Sequence, residues 1–183
     1  MIVMKFDAGS IGSHDRLRAV AKLVHQHKAK KPVVVTSALP KVTDLLLEAA
    51  HLAASRQSDY EDRIQELLAL HEEIVEELLS DGPPRRRVLA HVKELVAELR
   101  TFCTAVYALE ELTPRTLDAV GAIGERLSCE IVAEALVQEG LRAEVVDART
   151  LVITDEAFGS ASPQLEEMAP TASRVRGVSS SRA

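Results

Sequence analysis

Two short apolar runs, Ile2–Met4 and Val33–Val35, constrain this chain more than any other feature. The first passes through Lys5 and Phe6 into a turn of small residues, and a helix opens near Ser13 with an apolar face of Leu17, Val20, Ala21 and Val24. The second, in "KKPVVVTSALP", is a continuous β-branched run of the kind buried on both faces of a parallel sheet. A loop through Ser37–Pro40 then leads to a helix carrying Leu45, Leu46, Ala49, Ala50 and Ala53. Strands that alternate with helices predict an α/β architecture.

The middle of the chain breaks that alternation. "DYEDRIQELLALHEEIVEELL" sets Ile64, Leu67, Leu68, Val75, Leu78 and Leu79 on one helical face, and "DGPPRRR" interrupts it. A second helix answers with Val88, Val92, Leu95, Val96 and Leu99, so residues from about 58 to 110 read as an antiparallel helical hairpin. Thr113-Pro114 is a helix start, a capping hydroxyl before a proline, and the helix it opens runs through Leu117, Val120, Ile123 and Leu127 to a stop at Gly140. "RAEVVDA" (142–148) and "TLVITD" (150–155) read as short strands.

Composition narrows the function. A chain of 183 residues with 46% hydrophobic residues is long enough for one core, and its 3% aromatics suit Leu, Val, Ala and Ile packed between helices and a sheet. A net charge of −6 argues against a nucleic-acid partner, which needs a basic surface. Arg85-Arg86-Arg87 reads as a solvated loop, and Glu72, Glu73, Glu76 and Glu77 as the solvated face of a helix. Cys103 and Cys129 have no metal or redox spacing and read as buried thiols in a reducing cytosol. Six histidines provide no i, i+4 pair, so no metal site is expected. No segment is long and apolar enough to span a bilayer and no signal peptide stands at the start, so a cytoplasmic location without membrane partners is expected.

The turn after the first strand, "MKFDAGSIGS", poses the functional question. A strand entering small residues and then a helix is how phosphate-binding loops begin, but Asp7 puts a negative charge where phosphates would sit.

Four segments occur in order: "VMKFDAGSIGS", "VVVTSALPKVTDLLLEAA", "ELTPRTLDAVGAIGERLS" and "VVDARTLVITDEAFGSASP". Together they resemble the N-terminal part of the catalytic domain of the aspartate kinases, in the amino acid kinase family. The resemblance covers Met1 to about Pro163, and the helical hairpin falls where that family carries one. It implies a three-layer α/β sandwich with a mainly parallel sheet, here truncated and with the hairpin inserted, over residues 1–171, followed by a disordered tail at 172–183. It also implies transfer of the ATP γ-phosphoryl group to the side-chain carboxylate of L-aspartate, with Mg²⁺ carried by the nucleotide. The product is the acyl phosphate that feeds lysine, threonine and methionine synthesis. The implied partners are small molecules, with a homo-oligomer open.

The resemblance assigns roles residue by residue. Lys5 matches the lysine that stabilises the transferring phosphoryl group; on its own it is a charge at a strand end. Gly9, Ser10 and Gly12 are the nucleotide-side contacts left in a loop where the family has Gly-Gly-Thr-Ser-Val and this chain has Asp7-Ala8-Gly9-Ser10-Ile11. A carboxylate about 4 Å from a phosphate oxygen costs roughly tenfold to a thousandfold in affinity or rate. Ser37 and Thr43 flank the substrate-side loop, where helix capping is a compatible role. Glu125, after Gly124, matches the glutamate that holds the substrate's ammonium group, the plainer alternative being an ion pair with Arg126 or a neighbour. Phe158, in "AFGSA", matches a further substrate-side loop.

The family's catalytic domain continues beyond what is present. The change near Ala172 into "SRVRGVSSSRA" reads as a reading-frame change or an early stop. An impaired aspartate kinase fragment, a non-catalytic remnant that associates with an intact homologue, and a kinase of another amino acid such as glutamate all fit. "VTDLLLEAA" and "GERLS" favour aspartate, and Asp7 favours fragment or remnant over working enzyme.

Overall fold

Strand β1 (Ile2–Phe6) and strand β2 (Pro32–Thr36) pair in parallel, with Lys5 beside Val35 and Phe6 beside Thr36. The computed structural model describes residues 1–168 and Pro170, so the tail expected at 172–183 lies outside the described residues. The chain divides into two compact units, Met1–Ala143 and Glu144–Ala183, where the sequence predicts one domain over 1–171.

In the first unit, β1 leads through a one-turn helix, α1 (Ala8–Ile11), into α2 (His14–Gln26). Ser13 caps α2 by accepting from the Arg16 N–H, as the sequence predicts, whereas α1 was expected to be an open turn. Beyond β2 come α3 (Val42–Ala54), the hairpin helices α4 (Tyr60–Leu78) and α5 (Pro83–Leu109), and α6 (Pro114–Gln138), which Thr113 caps. Helix α3 packs against α4, α5 and α6. Its alanines Ala49, Ala50 and Ala53 are fully buried, so neighbouring helices approach closely, and Leu45 and Leu46 fill the space they leave. Each leucine or isoleucine buried this way contributes about 1.5–3 kcal/mol.

Register decides which sheet face is covered. Phe6 is buried and Met4 and Val34 pack on the core, while Val3 is 62% and Val35 43% exposed on the opposite face. The β-branched run is therefore not buried on both faces: within this unit the helices cover one side of the sheet only. The parallel pair, the helical layer and the inserted hairpin make up the α/β architecture.

The charged runs expected to face solvent are largely exposed, as Glu73, Glu76, Glu77, Arg86 and Arg87 are, and several of their side chains form ion pairs. Arg85, Arg86 and Arg87 lie in the first turn of α5 and pair with Glu76, Asp81 and Glu134. Glu134 is buried on α6, and its second oxygen accepts from the Gln138 amide. Glu72 and Glu77 pair with Lys93 and His14. His71 of α4 is fully buried; its Nδ1 donates to the Leu67 carbonyl at 2.7 Å, while Nε2 has no hydrogen-bond partner among the described residues. Burial lowers the His71 pKa and pushes the Cys103 thiol up to about 11. Among the described residues no helix is long and apolar enough to cross a membrane.

The second unit corrects the two strands expected at 142–148 and 150–155. Residues 144–147 are irregular, Ala148–Thr150 form a 3₁₀ turn, and among the described residues of this unit the strand-like pairing is an isolated bridge between Thr154 and Pro163. Val145, Val146, Val152 and Ile153 have strand-forming side chains but lie beside no named strand among the described residues, and propensity alone does not hold a strand.

Candidate functional site

Parallel pairing puts the C-terminal ends of β1 and β2 side by side, the edge at which open α/β sheets place their ligands. Lys5 sits one residue before the end of β1, exposed, and forms no ion pair among the described residues. The chain then turns at Asp7, whose carboxylate accepts from the Ser10 N–H at 2.8 Å and from the Ser10 hydroxyl at 2.6 Å, capping α1. The hydroxyl above all, and then the N–H, lowers the Asp7 pKa, so the group is a carboxylate at neutral pH. Two donors of the loop are thus taken by the protein's own anion. The Gly9 carbonyl accepts from the Arg16 guanidinium.

Gly12 has a packing role that the sequence reading did not foresee. A Cβ there would lie 2.7 Å from Cγ of Pro40, so the α1–α2 junction and the loop after β2 touch only because the residue is glycine. In that loop Ala38 and Leu39 are buried, and Lys41 is exposed with φ 67°, a left-handed conformation uncommon outside glycine. Sequence patterning gave no signal for this strained cation. Thr43 is exposed on the first turn of α3.

Helix α6 closes against the same loop. A Cβ at Gly124 would meet Cβ of Ala38 at 2.8 Å and side-chain atoms of Leu46 and Val42 at 3.2 Å each, so α6 and α3 approach here closer than any side chain permits. Glu125 follows, exposed, and its carboxylate has no ion-pair partner among the described residues. Arg126 instead reaches Glu98 on α5 at 2.8 Å, which removes the nearest candidate for an intrahelical pair.

A hydrogen-bonded path joins the strand end to this helix. The Ser37 N–H donates to the Phe6 carbonyl at 3.2 Å. The Ser37 carbonyl accepts from the Ser128 hydroxyl at 2.7 Å, and that hydroxyl also lies 2.9 Å from the Glu125 carbonyl. Lys5, Ser37 and Glu125 are therefore carried by backbone segments bonded to one another. A hollow of about 240 Å³ beside the loop is lined by Phe6, Ser10, Arg16, Ala19, Val20 and Leu23; Lys5 and Glu125 are not among its walls. Phe158 belongs to the second unit, in a turn where Gly159 has φ 82°. Among the described residues no group of acidic, histidine or cysteine side chains could hold a metal ion.

Comparison with known proteins matches residues 1–179 to the amino acid kinase family. Aspartokinase 1 of Arabidopsis thaliana, a chloroplastic protein, is 35% identical over 149 residues, covering 80% of this chain and 25% of that protein. The aspartokinase of Chlamydia muridarum is 29% identical over 167 residues, covering 91% of this chain and 34% of its own length. The crystal structure of E. coli aspartokinase III with aspartate and ADP superposes with a TM-score of 0.81 at 21% identity, over 97% of this chain and 39% of that one. The chain thus spans between a quarter and two fifths of the length of these three proteins.

Proposed function

Because the chain belongs to the amino acid kinase family, we propose that it carries the amino-acid side of an aspartate kinase centre. In that reading the γ-phosphoryl group of ATP passes to the side-chain carboxylate of L-aspartate to give 4-phospho-L-aspartate. Glu125 holds the substrate's ammonium group, Ser37 and Thr43 lie along its backbone side, and Lys5 neutralises charge on the transferring phosphoryl. Such transfer relies on positioning and charge stabilisation, for which an ammonium at a strand end that forms no ion pair among the described residues is suited. Phe158 is assigned to the substrate side by resemblance alone. Mg²⁺ enters with the nucleotide's phosphates, and no residue of this chain is assigned to it.

The observation that carries the reading is the bonded path from Phe6 through Ser37 and Ser128 to Glu125, with a cation at one end and a carboxylate at the other that form no ion pair among the described residues. The nucleotide side is different. Gly9, Ser10 and Gly12 remain its assigned contacts, but the Ser10 N–H and hydroxyl already bond to the Asp7 carboxylate, whose charge opposes a polyanion, and Gly12 is packed on Pro40. The proposed activity of the chain alone is accordingly low.

Trapping the acyl phosphate with hydroxylamine tests this. Full-length chain with ATP, Mg²⁺ and L-aspartate is expected to give slow, aspartate-dependent hydroxamate formation that is lost in Lys5→Ala. Asp7→Gly with Ala8→Gly is expected to raise it about tenfold or more. No hydroxamate from either loop would contradict the kinase reading. That result would favour a non-catalytic module that associates with an intact homologue, a reading supported by the exposed Val3 and Val35 on the uncovered sheet face.

A further inference from the structure

Ser128 lies fully buried on α6, one turn after Glu125. A serine inside a helix commonly bonds back to a carbonyl three or four residues earlier, and the 2.9 Å approach to the Glu125 carbonyl is such a contact. The shorter contact, 2.7 Å, is not local: it goes to the Ser37 carbonyl, 91 residues away in sequence. The hydroxyl has one proton, which it directs to these two carbonyls, and its lone pairs face the Thr36 hydroxyl at 3.3 Å. Thr36 ends β2, opposite Phe6. One buried oxygen therefore touches the backbones of both residues assigned to the amino-acid ligand and the strand end beside Lys5.

We infer that Ser128 is a positioning residue, fixing the register between the Ser37 loop and Glu125 so that the carboxylate meets the ammonium group of a bound amino acid. The inference rests on the reading of Glu125 given above. Gly124 lets the two backbones approach, and Ser128 sets where along that contact they stop. Without the hydroxyl, the Ser37 carbonyl loses this donor, and apolar packing of Ala38 on Gly124, which has no directional bond, is left to set the register of the loop on α6. Glu125, projecting into solvent from the helix, then no longer keeps a fixed place relative to Ser37.

Ligand selectivity separates this role from a merely structural one. L-Aspartate and succinate share both carboxylates, but only aspartate carries the ammonium. Binding of each to the full-length chain is measured by calorimetry or amide chemical shifts, for the native protein and for Glu125→Gln, Ser128→Ala and Thr36→Val. The native chain is expected to prefer aspartate, and Glu125→Gln to erase the preference. Ser128→Ala is expected to reduce it about tenfold by weakening aspartate while leaving succinate unchanged. Thr36→Val, which removes only the neighbouring hydroxyl, is expected to give a smaller loss in the same direction, and it carries the test if Ser128→Ala does not fold. An equal loss for both ligands, or an unchanged preference, overturns the positioning role while leaving Glu125 in place. No preference in the native chain overturns the reading of Glu125 and the inference with it.

Discussion

Asp7 occupies the loop donors that a bound anion would use. Its carboxylate takes the Ser10 N–H and hydroxyl, and those bonds lower its pKa below the ordinary 3.8, so the charge persists through the whole neutral and mildly acidic range. Asp7→Asn keeps an oxygen for the cap and removes the charge. It is expected to bind tripolyphosphate about tenfold or more tightly than the native chain at pH 7, measured by calorimetry. Since the acid must be protonated to lose its effect, the gap should persist to pH 5 and close only below the ordinary Asp value. Equal affinities at pH 7 would show that the charge is not the obstacle. At the other end of the site, Glu125→Gln keeps shape and removes the anion, and should weaken L-aspartate by about tenfold or more, the scale of a charge-assisted hydrogen bond.

Among the elements, the contact of α6 with α3 and the loop after β2 is the most tightly specified. Gly124→Ala would drive a methyl group into Cβ of Ala38, which cannot swing aside because it is fixed to the backbone. The expected cost is about 1–3 kcal/mol in chemical denaturation. The join of α5 to α6 depends on Arg87 and Glu134. Arg87→Ala leaves a carboxylate, 2% exposed, with the Gln138 amide, and should cost about 1–3 kcal/mol, less than a fully buried pair because the arginine is 66% exposed. Helix α4 gives the hairpin a pH dependence. Burial holds the His71 pKa below the ordinary 6.5, against the smaller opposing effect of its bond to Leu67. The unfolded chain therefore takes up a proton near 6.5 that the folded chain refuses until lower pH. Stability from this group is complete above that value and falls on acidification below it, by at most about 1.4 kcal/mol per pH unit. His71→Leu should flatten the thermal midpoint between pH 6.5 and 5; an unchanged slope would assign the acid sensitivity elsewhere.

For the whole molecule, what the sequence made legible was whatever depends on near neighbours. Both strands of the parallel pair, the Ser13 and Thr113 caps and the two hairpin helices follow from residues a few positions apart. Lys5, Ser37, Thr43 and Glu125 are assigned through the family resemblance of the short segments that carry them, and their roles are proposals. What escaped depends on partners distant in sequence. Ser128 looks like an ordinary helical serine until Ser37 is beside it, and Arg87 looks like any member of an exposed basic run until the buried Glu134 meets it. Gly12 reads as a phosphate contact, and its close approach to Pro40 is a second demand on the glycine that sequence patterning does not reveal. The valines at 145, 146 and 152 predicted strands by composition, and among the described residues no neighbouring strand holds them.

The central claim is that one amino acid binds across Ser37, Thr43 and Glu125 with its far carboxylate toward Lys5. Titrating L-aspartate into the full-length ¹⁵N-labelled chain and following the amide resonances tests it most directly. Concerted, saturable shifts at Lys5, Ser37, Thr43 and Glu125 are the predicted result. Shifts confined to other parts of the chain, or saturable binding that leaves Lys5 and Glu125 unmoved, would contradict it.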